Sequence, residues 1–162
     1  EQRIKANKLI SKYIIIKDKI LNKAEKMSEL LLDNETIGVH CRGTDKIEEC
    51  PEIPIEQYIQ AINNISTTAK VFIATEEQSK LLALKNALGD RVVYNEDVTR
   101  TTTNVPPHKN DLVNGFKLGE DVLIDCILLS KCKILIHGQS NVSNAALSFN
   151  TALPHVDLSA RH

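Results

Sequence analysis

Residues 121–150 read DVLIDCILLSKCKILIHGQSNVSNAALSFN, and three elements follow one another in this stretch. Leu123, Ile124, Ile127 and Leu128 recur at helical spacing, which predicts a helix from about residue 120 to residue 130. Residues 133–137, KILIH, are an apolar run of strand length. Gly138 and Gln139 then turn the chain, and a second helix opens at Ser140 and runs to about Phe149. An apolar strand held between two helices belongs to a parallel sheet covered on both faces.

The same alternation extends upstream. Residues 3–32 read as helical in two pieces, with the β-branched run Ile14, Ile15 and Ile16 as the interruption. IGVHC (37–41) is a first short strand, and PIEQYIQAINNIS (54–66) an amphipathic helix with Pro54 suited to its first turn. KVFIAT (70–75) is a second strand, followed by the helix EEQSKLLALKNALG, which ends on a C-terminal glycine. RVVY (91–94) is a third strand, and a last one lies within PHVDL (154–158). Residues 95–117 are polar, carry two prolines and show no period, so they read as a long loop of functional kind. Right-handed crossovers give a Rossmann-like α/β sheet of order 3-2-1-4-5. Residues 1–34 form an N-terminal helical segment and 35–162 the Rossmann-like domain.

Composition narrows the function. A net charge of −1, 4% aromatic residues and no Trp argue against a nucleic-acid reader. The longest apolar stretch is cut by Asp125, Lys131 and Lys133, so no membrane span is expected. The chain opens EQRIKANK, with neither an initiator Met nor an apolar leader, as expected of an excised or processed piece. The cysteines, at 41, 50, 126 and 132, lack the paired short spacing of a zinc site and read as small buried hydrophobes in a reducing compartment. Sequons at Asn34, Asn64 and Asn141 are weak signals of secretion in so Asn-rich a chain.

In a doubly wound sheet, ligands bind beyond the carboxyl ends of the strands where the strand order reverses, here between strands one and four. His40, Arg42, Asp45 and Lys46 leave strand one, and His137, Gly138, Gln139, Ser140 and Asn141 leave strand four. Ser140 or Asn141 would cap a helix whose free N–H groups attract an anion. Arg42 has the planar fork that grips phosphate. Together these describe a diphosphate cradle. Each group also has a plainer reading. Arg42 can pair with Asp45 in a turn, Lys46, Glu48 and Glu49 can form a solvated face, and His137 can be a satisfied core histidine. Ser140 and Asn141 can be a cap alone, and Asp125 can point to solvent.

HCRGTDK (40–46) is similar to the His-x-Arg-x-x-Asp-Lys stretch of the α1,6-fucosyltransferases and the nodulation fucosyltransferases. Residues 121–150 look like their second long motif, a helix carrying Asp, a strand and a Ser-rich turn into a helix. KVFIATEEQSKLL and GDRVVYNED fall between the two in the family's order, so the resemblance covers about residues 36–150. It implies the C-terminal donor half of a B-type glycosyltransferase that binds GDP-fucose without a metal or other cofactor. Arg42 would hold the β-phosphate and neutralise the departing GDP, with Lys46 adding charge. His40 and Asp125 would contact the guanine, and Ser140 with the amides of Asn141 and Val142 would complete the cradle. Glu76 and Glu77 fall where the family has two acids near the nucleotide.

Three positions depart from the family pattern. Gly43 stands where the α1,6 enzymes have a second arginine, Cys50 occupies the place of their general base, and Asn141 replaces a serine. Glu49 is the nearest candidate base. The acceptor, a glycan or other hydroxyl compound, would be chosen by an N-terminal half that these residues do not include. A glycan on Asn141 would block the crevice, so a cytoplasmic location is expected. The main alternative is a non-catalytic nucleotide or nucleotide-sugar binding module. A relative of the α1,2 enzymes fits less well, because GTDK replaces their Arg-Gly-Asp pattern, and a purely structural Rossmann domain leaves the polar groups at both strand ends unexplained.

Overall fold

A computed structural model of the chain describes residues 2–42, 52–102 and 114–159. Two helices come first, α1 (Gln2–Tyr13) and α2 (Asp18–Leu31), divided at the isoleucine run as the sequence predicts. Strand β1 (Ile37–His40), helix α3 (Ile55–Ile65), strand β2 (Val71–Ala74) and helix α4 (Gln78–Leu88) follow. Strand β3 (Val92–Val93), helix α5 (Gly115–Ser130), strand β4 (Ile134–His137), helix α6 (Asn141–Phe149) and strand β5 (His155–Asp157) complete the order. All four strand pairings are parallel, and the sheet runs β3-β2-β1-β4-β5. This is the expected order.

The two-residue period of a strand sends alternate side chains to opposite faces. Phe72, Ala74 and Leu135 point to one face, where they meet Ile20 and Ala24 of α2, Ile124, Leu128 and Leu129 of α5, and Ala146 and Leu147 of α6. Ile37, Val39, Val71, Ile73 and Ile136 point to the other, against Tyr58 and Ile62 of α3 and Leu81, Leu84 and Leu88 of α4. Every residue of β1 and β2 is buried, which explains why these strands read as continuous apolar runs. α5 packs so closely on β1 that a Cβ placed on Gly38 would lie 2.9 Å from Cys132 Sγ and 3.2 Å from Leu129 Cδ2.

α5 begins earlier than the apolar period suggests, at Gly115 rather than near residue 120. The cause is Asn114, whose side chain accepts hydrogen bonds from the N–H groups of Phe116 and Lys117. Gly115 and Gly119 lower the intrinsic helix preference of this first turn, so the capping interaction outweighs propensity there. Gly89 ends α4 at φ 62, a backbone conformation that a Cβ would disfavour.

Candidate functional site

β1 and β4 lie side by side at the centre of the sheet, with His40 in register with His137. Their carboxyl ends are therefore adjacent, and this is where the strand order reverses. Arg42, two residues beyond β1, donates from Nη1 to the carbonyl of Gln139 at 2.7 Å. The two polar exits recognised in the sequence thus meet across 97 residues of chain. Behind Arg42 stands Lys80 of α4, whose Nζ donates to the Arg42 carbonyl at 2.6 Å. Lys80 also pairs with Glu77 at 3.4 Å and with Glu52 at 3.1 Å. Burial raises the Glu77 carboxyl above its ordinary range, with Lys80 opposing the shift.

On the β4 side, Ser140 is the N-cap of α6 and accepts from the Val142 N–H at 3.1 Å. Ser143 donates to the carbonyls of Gly138, at 3.2 Å, and Ser140, at 2.9 Å, tying the turn to the first helical turn. Glycine is required at 138 by packing, because a Cβ there would lie 2.5 Å from Ile53 Cδ1. The turn is thus a close backbone approach at a helix N-terminus, the local arrangement that favours anions. The cap already satisfies the Val142 amide.

The histidines behave differently from one another. His40 is buried with Nδ1 unpartnered. Burial lowers its pKa to about 3, reinforced by the positive charges of His137, Arg42 and Lys80, so at neutral pH it is an uncharged donor and acceptor. His137 has partners on both ring nitrogens, the Gly138 carbonyl at 2.9 Å from Nδ1 and His155 Nδ1 at 3.0 Å from Nε2. A carbonyl only accepts, so His137 Nδ1 carries the proton and Nε2 accepts from His155. His155 Nε2 then accepts from Arg3, 2.9 Å away, which links α1 to the turn after β4.

Asp125 lies on α5, buried, with Oδ1 unpartnered. Burial raises its carboxyl to about 7, opposed by the nearby Arg100 guanidinium and reinforced by Asp121. One helical turn earlier, Asp121 accepts from Lys117 Nζ at 2.5 Å while its Oδ2 has no partner. The segment after β3 covers this side. Thr101 bridges to Glu77, with its N–H on the Glu76 carbonyl at 2.8 Å and its carbonyl accepting from Gln78 N–H at 3.0 Å.

Of the predicted residues, the fold gathers His40, Arg42, His137, Ser140, Asn141 and Val142 at the β1/β4 exits. Glu76 and Glu77 sit at the exit of β2, beside the residues that follow β1. Asp125 is buried rather than solvent-facing. Asp45, Lys46 and Glu49 lie outside the described residues. Sequence reasoning missed Lys80, Asn95, Arg100 and Asp121. Asp121 had a readable signal, since it is four residues before Asp125 and therefore on the same helix face. The others lie where no apolar period marks a polar residue as buried.

No protein-family model matches the sequence, and no curated protein matches it significantly. Solved structures do match. The chain superposes on the NodZ α1,6-fucosyltransferase co-crystallised with GDP with a TM-score of 0.64 at 22% identity, over 93% of this chain and 47% of that one. The fucosyltransferase NodZ from Bradyrhizobium gives a TM-score of 0.61 at 20% identity, over 93% and 48%. POFUT1 in complex with GDP gives 0.59 at 13% identity, over 93% and 49%. The chain shares its fold with fucosyltransferases. It spans about half the length of these neighbours.

Proposed function

We propose that residues 35–162 form the donor-binding domain of a B-type, metal-independent fucosyltransferase that uses GDP-fucose, with residues 1–34 as a helical segment packed on it. The observation that carries this reading is the contact of Arg42 with the Gln139 carbonyl, which puts an arginine beside the backbone turn and helix N-terminus that follow β4. That is the fold position where a nucleotide diphosphate binds in open α/β sheets. Neighbours of the same fold were crystallised with GDP or GDP-fucose.

Transfer from a nucleotide sugar breaks the anomeric C–O bond and leaves negative charge on the β-phosphate, so positive groups must meet that charge in the transition state. Arg42 supplies a guanidinium, and the α6 N-terminus, capped by Ser140, supplies Asn141 and Val142 N–H groups. Lys80, which holds the Arg42 carbonyl, sets where the guanidinium can reach. Lys46 would add charge, and Glu49 would take the proton from the acceptor hydroxyl. His40 and Asp125 would read the base. The acceptor, a glycan or other hydroxyl compound, would be bound by a second domain. A second reading, nucleotide-sugar binding without transfer, is favoured by Gly43 in the place of the family's second phosphate-binding arginine.

The test is calorimetric titration of GDP in the presence of chelator, with GMP and UDP as controls, on wild type and Arg42→Ala. GDP should bind more tightly than GMP, which lacks the β-phosphate. Arg42→Ala should weaken GDP by about 1.5–3 kcal/mol, the range for a hydrogen bond to a charged group. Unchanged GDP affinity in the variant would overturn the assignment.

A further inference from the structure

Four buried polar atoms without a partner cluster on one side of the site: Asn95 Nδ2, Arg100 Nε, Asp121 Oδ2 and Asp125 Oδ1. Buried polar groups are nearly always paired, so a group of orphans of both kinds, donors and acceptors, calls for an explanation. Neighbouring contacts fix their orientation. Asn95 Oδ1 accepts from the Asp97 N–H at 3.1 Å, so the amide cannot flip and Nδ2 is the group turned inward. Arg100 is clamped by Nη2 on the Asn95 carbonyl at 2.8 Å and lies over the Tyr94 ring, 5.0 Å from its centroid. Lys117 joins this segment to α5, donating to the Asp97 carbonyl at 2.8 Å and to Asp121. Arg100 and Asp125 therefore face one another on elements that are locked together, yet among the described residues they form no ion pair and each keeps an unsatisfied atom.

We propose that Asn95 and Arg100 supply the donor half of a base-reading edge whose acceptor half is Asp125, so that the site selects a purine carrying a 6-oxo group beside a ring N–H. The proposal rests on the nucleotide reading above and names the residues that make it specific for the base. A 6-oxopurine presents one acceptor, O6, next to one donor, N1–H, and a 2-amino group adds a second donor. Asn95 Nδ2 and Arg100 Nε–H suit O6, and the Asp125 carboxylate suits the N–H groups. Adenine reverses both positions, placing an amino group against the donors and a lone pair against the carboxylate, and both encounters are repulsive. Asp121, held by Lys117, adds negative charge beside Asp125. Arg100 is the cation that faces both acids.

Calorimetry with GDP, inosine diphosphate, ADP and UDP tests this on wild type, Asn95→Asp and Arg100→Lys. Asn95→Asp keeps the oxygen that accepts from Asp97 and replaces the inward donor by an acceptor. Arg100→Lys keeps the charge and removes the Nε–H. Inosine diphosphate has O6 and N1–H but no 2-amino group, so loss of the O6 contacts should weaken it and GDP alike. The expected result is wild-type preference for both over ADP and UDP, with each variant weakening both by about tenfold, as for one lost charge-assisted hydrogen bond. Their ratio should stay fixed. GDP binding that is unaltered in both variants, or wild-type binding of ADP as tight as that of inosine diphosphate, overturns the base-reading edge. Equal wild-type affinity for GDP and UDP removes that edge and leaves the phosphate cradle standing. Failure of every diphosphate to bind wild type overturns the nucleotide reading itself. Arg100→Lys provides the readout if the extra acid of Asn95→Asp prevents folding.

Discussion

Replacing Asp125 by Asn removes one titrating group from the interior of α5 without changing its shape. Burial raises this carboxyl from 3.8 to about 7 in the folded protein. A raised carboxyl pKa means that the folded state holds the proton more tightly than the unfolded state does. Stability must therefore fall as pH rises from about 4 to about 7, where the unfolded chain ionises and the folded one resists. Above pH 7 the full cost of burying the charge is present, and the rise in pKa corresponds to about 4 kcal/mol. The Asn side chain carries no such proton. Urea unfolding of wild type and Asp125→Asn at half-unit steps from pH 4 to pH 8.5 isolates the effect, because every other group is common to both and cancels in the difference. The variant should gain on wild type by about 4 kcal/mol across this range, most of it below pH 7. Two curves that stay parallel within about 0.5 kcal/mol would refute the burial argument, since no proton would then be linked to folding at this site.

Two further outcomes follow from packing. Gly38→Ala inserts a methyl group against Cys132 Sγ and Leu129 Cδ2, and should cost about 1–3 kcal/mol in urea unfolding, as overpacked cores do. An unchanged midpoint would show that α5 moves away from β1 freely. Cys41, Cys126 and Cys132 are buried, with thiols pushed up to about 12 by burial. In a Cys50→Ser protein, a thiol reagent at pH 8 should label none of them before denaturant is added, and rapid native-state labelling would contradict their burial.

How much could be read from the sequence depends on the physical signal each residue leaves. β1, β2 and β4 are buried on both faces, so Ile37, Val39, Val71, Ile73, Leu135 and Ile136 make uninterrupted apolar runs that name themselves as parallel strands. From those runs and the helices between them, the sheet order follows from handedness and connection length alone. Arg42 and Ser140 were legible because strand exits in this architecture point at one crevice. Asp125 was legible because it breaks an apolar stripe. Lys80 and Arg100 were not, since a long cation in a polar segment has the same pattern whether its head is solvated or folded inward. The start of α5 was misplaced for a related reason, because a single capping side chain, Asn114, decides it.

The contact between Arg42 and Gln139 spans 97 residues, and the β1–β4 pairing beneath it spans a similar length. Closing so long a loop costs entropy before any contact repays it, and folds dominated by such pairings form slowly. Every group of the proposed diphosphate cradle depends on that one closure, since Arg42 lies on one side of it and the α6 N-terminus on the other. A chain in which β1, α3, β2 and α4 have assembled, but β4 has not yet docked, would have a sheet edge and no cradle. Nucleotide capture during refolding would then report the joining of β4 to β1, and a ligand present from the start would leave the rate of that step unchanged while slowing its reversal.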